Sequence, residues 1–198
     1  MTTSRNSLRT VAVVSLLVAA LSGLARTQGN TVSLPSGGGY SNTALGFRYS
    51  PPSEMKDETE SGRTEIRARA AAHHTTNALG LLLSMSSGPD ATATDWHLLS
   101  IETYPRQKFS SLDDISAKAK MSAWVAGISI SPEKSRSVVL AGQSFAVYVF
   151  GEQDGLIKKG AVVWTTIRKD KLLSFAFVAN TPQQLKRLAE TMKSVKFF

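Results

Sequence analysis

The residues best suited to hold a metal ion or move a proton are His73, His74 and His97, with the carboxylate of Asp95 two positions before the last. Neighbouring histidines on a helix point about 100° apart, so His73 and His74 do not close on one ion. Metalloprotease-type sites instead space two histidines i, i+4 around a glutamate. A His/His/Asp site here would need the fold to bring His97 and Asp95 to a helix histidine. A histidine near a helix C-terminus also gains from the helix dipole with no ligand present, and a surface or helix-end role is the favoured reading.

The other reactive residue types point to structure before catalysis. Ser144, in Ala141-Gly-Gln-Ser-Phe145, lacks the Gly-x-Ser-x-Gly elbow of hydrolases and falls inside a strand pattern. The glycines at 37–39 precede no phosphate-loop lysine and follow no strand, so they read as linker. Asp113 and Asp114 are the acids that a helix start carries in its first turn. Trp96, Trp124, Tyr148 and Trp164 would suit a ligand pocket, but such residues more often pack in a core or on a sheet face. No nucleophile–base constellation stands out, so a non-enzymatic protein is expected. The rival is a small metal-dependent or hydrolytic enzyme using His97, Asp95 and a helix histidine.

The elements that would position these residues follow from periodicity and punctuation. Leu45–Tyr49 reads as a short strand stopped by Pro51-Pro52, since neither proline can donate to a ladder. Asp57–His74 reads as a helix with acids first and bases later, matching the macrodipole. Gly62 weakens its first turn, which favours a start near Thr64. The apolar run Leu79–Met85 predicts a strand buried on both faces, and Asp95–Tyr104 an antiparallel neighbour. Ser110 caps a helix reaching to Gly127, with Leu112, Ile115, Ala119, Ser122 and Val125 on one side.

The last third predicts strands over Ser137–Ala141 and Gln143–Phe150, the latter with Phe145, Val147 and Val149 on one face. Ala161–Arg168 and Leu172–Ala179 follow, joined by a tight turn at Lys169-Asp170. Thr181, Pro182 and Gln184 form the capping signature of a final helix, whose stripe Leu185, Leu188, Ala189, Met192 and Val195 must dock on a sheet. Strands in this order with helices between them predict an α+β fold: an α/β/α sandwich around a mostly antiparallel sheet of about six strands.

The N-terminus reads as an export signal. Arg5 and Arg9 precede the apolar run Val11–Leu21, and Gly23 and Ala25 supply the small residues of a cleavage site after Ala25. That run is shorter than the roughly 20 apolar residues that span a bilayer. The expected organisation is a signal peptide over 1–25, a Ser/Thr/Gly/Asn-rich flexible leader over 26–43 and one domain over 44–198. The mature protein is expected to be secreted or periplasmic and not integral to the membrane.

The chain of 198 residues has no cysteine, which excludes disulfides, thiolate metal sites and a cysteine-linked lipid anchor. Its formal charge of +8 falls to +6 when Arg5 and Arg9 leave with the signal. Outside the cytoplasm such an excess fits a solvated surface, a protein partner or an anionic envelope surface better than nucleic acid. No cofactor is expected.

The Leu45-Gly-Phe-Arg-Tyr49 strand with Pro51 after it resembles the opening of PsbP-like domains. The later part is similar too. It has a Ser-Leu-Asp helix start at Ser111, a Leu140-Ala-Gly-Gln143 turn into a strand, an aromatic strand pair, and a terminal helix ending Val195-Lys-Phe-Phe198. The resemblance covers about residues 44–198. It implies an α/β/α sandwich around an antiparallel sheet, in a superfamily shared with a Ran-binding nuclear-transport factor. Members act mainly by binding, one supporting the photosynthetic oxygen-evolving centre and another holding a small GTPase. No residue here matches either binding surface, so neither role carries over.

Overall fold

The computed structural model describes residues 39–72, 80–105, 134–151 and 160–198. The expected signal peptide, most of the leader, His73, His74, and the Ser110–Gly127 helix with its Trp124 lie outside those residues.

Seven strands form the main sheet, in the order β3-β4-β5-β9-β8-β7-β6. They are β3 (Lys56–Asp57), β4 (Gly80–Ser86), β5 (His97–Pro105), β6 (Lys134–Leu140), β7 (Gln143–Gly151), β8 (Gly160–Arg168) and β9 (Lys171–Ala179). Every pairing is antiparallel. A second sheet, in the order β1-β2-β10, joins β1 (Tyr40–Asn42) and β2 (Phe47–Tyr49) to β10 (Lys196–Phe197) near the chain's end. The α+β sandwich is thus built on seven main strands where the pattern predicted about six. Order also begins ahead of Ala44, because Tyr40 pairs with Tyr49 and both rings are buried.

Two tight turns set the register of the right half of the sheet. Ala141 and Gly142, at φ 50° and 76°, link β6 to β7, and Lys169 and Asp170, at 45° and 59°, link β8 to β9. Positive φ at both central positions is the hairpin geometry that follows the twist of the strands. The second turn achieves it with no glycine.

Alternation then sorts side chains onto two faces. Phe145, Val147, Trp164, Leu173, Phe175 and Phe177 enter one cluster, together with Leu99, Ile101 and the aromatic side chains of the small sheet. Helix α2 (Pro182–Glu190), prolonged by a 3-10 turn over Thr191–Ser194, lays Leu188, Met192 and Val195 into the same cluster. The predicted stripe docks as expected, on β8 and β9. Its cap differs in detail. The Thr181 hydroxyl accepts from the Gln184 backbone N–H and donates to Gln184 Oε1, while Gln184 Nε2 reaches across to the Asp95 carbonyl at 2.9 Å.

The opposite face carries Ala146, Tyr148, Phe150, Ala161, Leu172 and Val178, met by Trp96, Ala91 and Ala93 of the β4–β5 loop. Asn180 secures that loop by donating to the carbonyls of Ala91 and Ala93 at 2.9 and 2.7 Å.

Helix α1 (Thr59–Ala72) packs at the β4 end through Ile66 against Leu81 and Tyr104. It runs straight through Gly62, starting earlier than the Thr64 that propensity favoured. A Cβ at Gly62 would lie 2.9 Å from Leu81 Cδ2, so glycine lets the helix approach the strand closely. Strand β4 bulges between Leu81 and Leu83. This is why Leu81 faces α1 while Leu83 and Met85 face the first cluster. Arg63 of α1 covers the irregular stretch by donating to the carbonyls of Leu81 (3.0 Å) and Leu82 (3.4 Å).

Candidate functional site

Of the residues marked by sequence, the structure describes Asp95, Trp96, His97, Ser144, Tyr148 and Trp164, while His73, His74 and Trp124 lie outside the described residues. His97 opens β5, half-buried, and its Nδ1 lies 2.8 Å from the Asp95 backbone carbonyl. A carbonyl only accepts, so Nδ1 is the donor in that contact. The Asp95 residue itself is exposed. Helix α1 begins beside the Ser86 end of β4, near His97, and passes Leu81 and Tyr104 further along. Its C-terminal end therefore leads away from His97. Among the described residues no group of three His, Asp or Glu side chains is placed to hold a metal.

The aromatic residues divide between faces. Trp164 packs edge-on to Phe145 at 5.8 Å in the first cluster, its indole N–H buried without a partner. Trp96 and Tyr148 lie on the other face, where the Trp96 N–H reaches the Gly88 carbonyl at 3.0 Å. Trp164 thus packs on one side of the sheet and Trp96 with Tyr148 on the other, so Trp164 shares no pocket with those two. Ser144 is an exposed residue of β7 whose carbonyl takes a hydrogen bond from Thr166.

One buried acid went unremarked in the sequence. Glu102, only 3% exposed, sits mid-strand in β5 and accepts from Ser100 Oγ and Tyr104 Oη, each at 2.7 Å. Residues two apart on a strand share a face, so Ser100-Ile-Glu-Thr-Tyr104 already held the signal. Across the ladder Glu102 faces Ser174, and Ser174 faces Thr165, whose hydroxyls meet at 3.1 Å. Burial pushes the Glu102 carboxyl above its usual range, partly offset by the two hydroxyls. Burial first, and then the neighbouring Glu102 carboxyl, hold the Tyr104 hydroxyl well above a normal phenol. Ser100 and Tyr104 are thus both donors to an internal acid.

The strongest surface feature is basic. Strand pairing sets Arg48 of β2 directly opposite Lys196 of β10, both exposed. The Arg48 guanidinium lies over the ring of Phe198 at 5.5 Å, and Phe198 is 58% exposed. Beside them Arg168, at the end of β8, donates to the carbonyl oxygens of Leu45 (3.0 Å) and Phe198 (2.9 Å) and covers the Phe197 ring at 5.2 Å. Lys171 faces Arg168 across the hairpin, and Lys169 follows it in the turn, close to Gly46. Five cations thus collect where the ends of two sheets meet. Among the described residues the salt bridges join other pairs, Arg63–Glu60 and Arg187–Glu54.

A seven-stranded antiparallel sheet with a small sheet and a C-terminal helix packed on one face defines a PsbP-like α+β fold. The solution structure of cyanobacterial PsbP (CyanoP) from Synechocystis sp. PCC 6803 is similar at a TM-score of 0.55 and 15% identity, over 89% of this chain and 98% of that one. LpqN of Mycobacterium tuberculosis, described as involved in cell envelope biogenesis, gives a TM-score of 0.46 at 10% identity, over 85% and 86% of the two chains. A protein of Bacteroides thetaiotaomicron gives 0.45 at 12% identity over 82% of this chain, which spans about half (48%) of that protein's length. No protein-family model matches the chain, and no curated protein matches it. At these identities the likeness is one of fold.

Proposed function

We propose that this chain is an exported, non-enzymatic accessory module that acts by binding a protein partner or the anionic surface of an envelope. The observation that carries the reading is the Arg48–Lys196 pair with Arg168, Lys169 and Lys171 beside it. Like charges directly opposite on paired strands repel and destabilise a sheet. Kept at a solvent-facing corner, they are matched to an anionic counter-surface. The fold supports the same reading, since PsbP-like domains work mainly by binding. Among the described residues no helix is long and apolar enough to cross a membrane.

Retention on a native envelope fraction tests the proposal. The chain should be held at low ionic strength and released as salt approaches the range where the Debye length falls below about 10 Å. Reversal of Arg48 and Lys196 to glutamate should abolish retention. Retention that ignores salt and charge reversal alike would sink the basic-corner version. Metal-dependent turnover lost on His97→Ala would replace it with an enzyme.

A further inference from the structure

We infer that the basic corner is a docking surface for an anionic lipid bilayer, with the Phe198 ring as its apolar contact. The inference rests on the binding-module reading and names the partner within it.

Three features of the corner favour a lamellar surface over a protein. First, the cations are spread along the ends of two sheets. Arg48 and Lys196 belong to the small sheet, and Arg168, Lys169 and Lys171 to the β8–β9 hairpin of the large one. A layer of headgroups neutralises such an array without matching each side chain in turn. Second, an aromatic ring stands in their midst. Phe198 is one of two large hydrophobic residues left exposed among the described residues, and it lies beneath the Arg48 guanidinium. A ring flanked by cations suits the boundary between headgroup and acyl chain, where apolar area and charge act together.

Third, the corner is held rigid. The Phe198 backbone N–H donates to the Gly46 carbonyl at 2.9 Å, and its carbonyl takes the Arg168 hydrogen bond. The ring is therefore presented by fixed backbone, and little ordering cost falls on binding. Asp170 is the acid of the hairpin turn, between Lys169 and Lys171.

The test uses the chain purified from the compartment to which its host delivers it, with vesicles of phosphatidylcholine alone or of equimolar phosphatidylcholine and phosphatidylglycerol. Each cation near an anionic surface contributes about fivefold in binding, so reversing two of them should weaken co-sedimentation by at least about 25-fold. The expected result is salt-sensitive binding to the phosphatidylglycerol vesicles only. It should be lost in Arg48→Glu/Lys196→Glu and weakened in Phe198→Ser, whose backbone contacts are kept, with thermal melting unchanged in both variants. Equal binding to both vesicle types, or binding that survives charge reversal, overturns the inference. If the envelope fraction retains the chain through the same cations while the vesicles do not, the lipid inference falls and the module reading stands. If neither binds, both fall.

Discussion

Arg168 of β8 and Leu45 of the β1–β2 turn meet at 3.0 Å, guanidinium Nε to carbonyl oxygen, across 123 positions of chain. The same side chain reaches the Phe198 carbonyl, so one residue ties the beginning of the small sheet, its end and the main sheet together. The turn carbonyls lie in buried residues, where an unmet acceptor is costly.

Arg168→Ala should therefore lower folding stability by about 2–3 kcal/mol, measured by denaturant unfolding. Arg168→Lys should recover only part of this, because a single ammonium does not reproduce the guanidinium fork. A stability within about 0.5 kcal/mol of wild type for the alanine variant would show the tie to be dispensable.

Two glycines at positive φ separate backbone preference from crowding. Gly46, at φ 65°, has the Phe198 carbonyl oxygen where a Cβ would stand, whereas Gly142, at φ 76°, has open space around it. Alanine at 142 should cost about 1 kcal/mol for conformation alone. At 46 the cost should be at least about twice that, because the β2–β10 contact must also give way. Equal losses of melting temperature in the two variants would contradict the crowding at Gly46.

Glu102 predicts a pH dependence whose sign is fixed by its environment. Burial raises the folded carboxyl above its unfolded value, so the folded state holds the proton more tightly. Its contribution is fully present below the ordinary carboxylate range and is lost as pH rises through the raised folded value. Wild type should lose stability relative to Glu102→Gln on going from acid toward neutral pH. A glutamine keeps hydrogen-bonding capacity toward Ser100 and Tyr104. A difference in melting temperature that stays constant across that range would refute the assignment.

Much of the sheet was legible because its signals are local. Period-two alternation in Phe145–Val149 and Leu172–Ala179 places each side chain on a face whatever the rest of the chain does. The Thr181-Pro182 start needs only its own turn to be recognised, as does the Lys169-Asp170 hairpin. The buried acid was also written locally, as Ser100, Glu102 and Tyr104 at spacing two. What hid it is that alternation alone does not say which face of a strand is covered.

By itself, then, the sequence determined the strand-rich α+β architecture, the stripe on α2, the excess of positive charge and the absence of cysteine chemistry. Tertiary structure alone decided that Tyr40–Asn42 is a strand, that β4 bulges between Leu81 and Leu83, and that Gly62 serves a close approach. It also decided that Arg48 faces Lys196 across 148 positions. The reason is physical. Periodicity and caps are properties of neighbours along the chain, whereas pairing between distant segments is chosen by which buried surfaces fit, here the rings of Tyr40, Phe47, Tyr49 and Phe175. The basic corner exists only because that packing brings both ends of the domain to one edge.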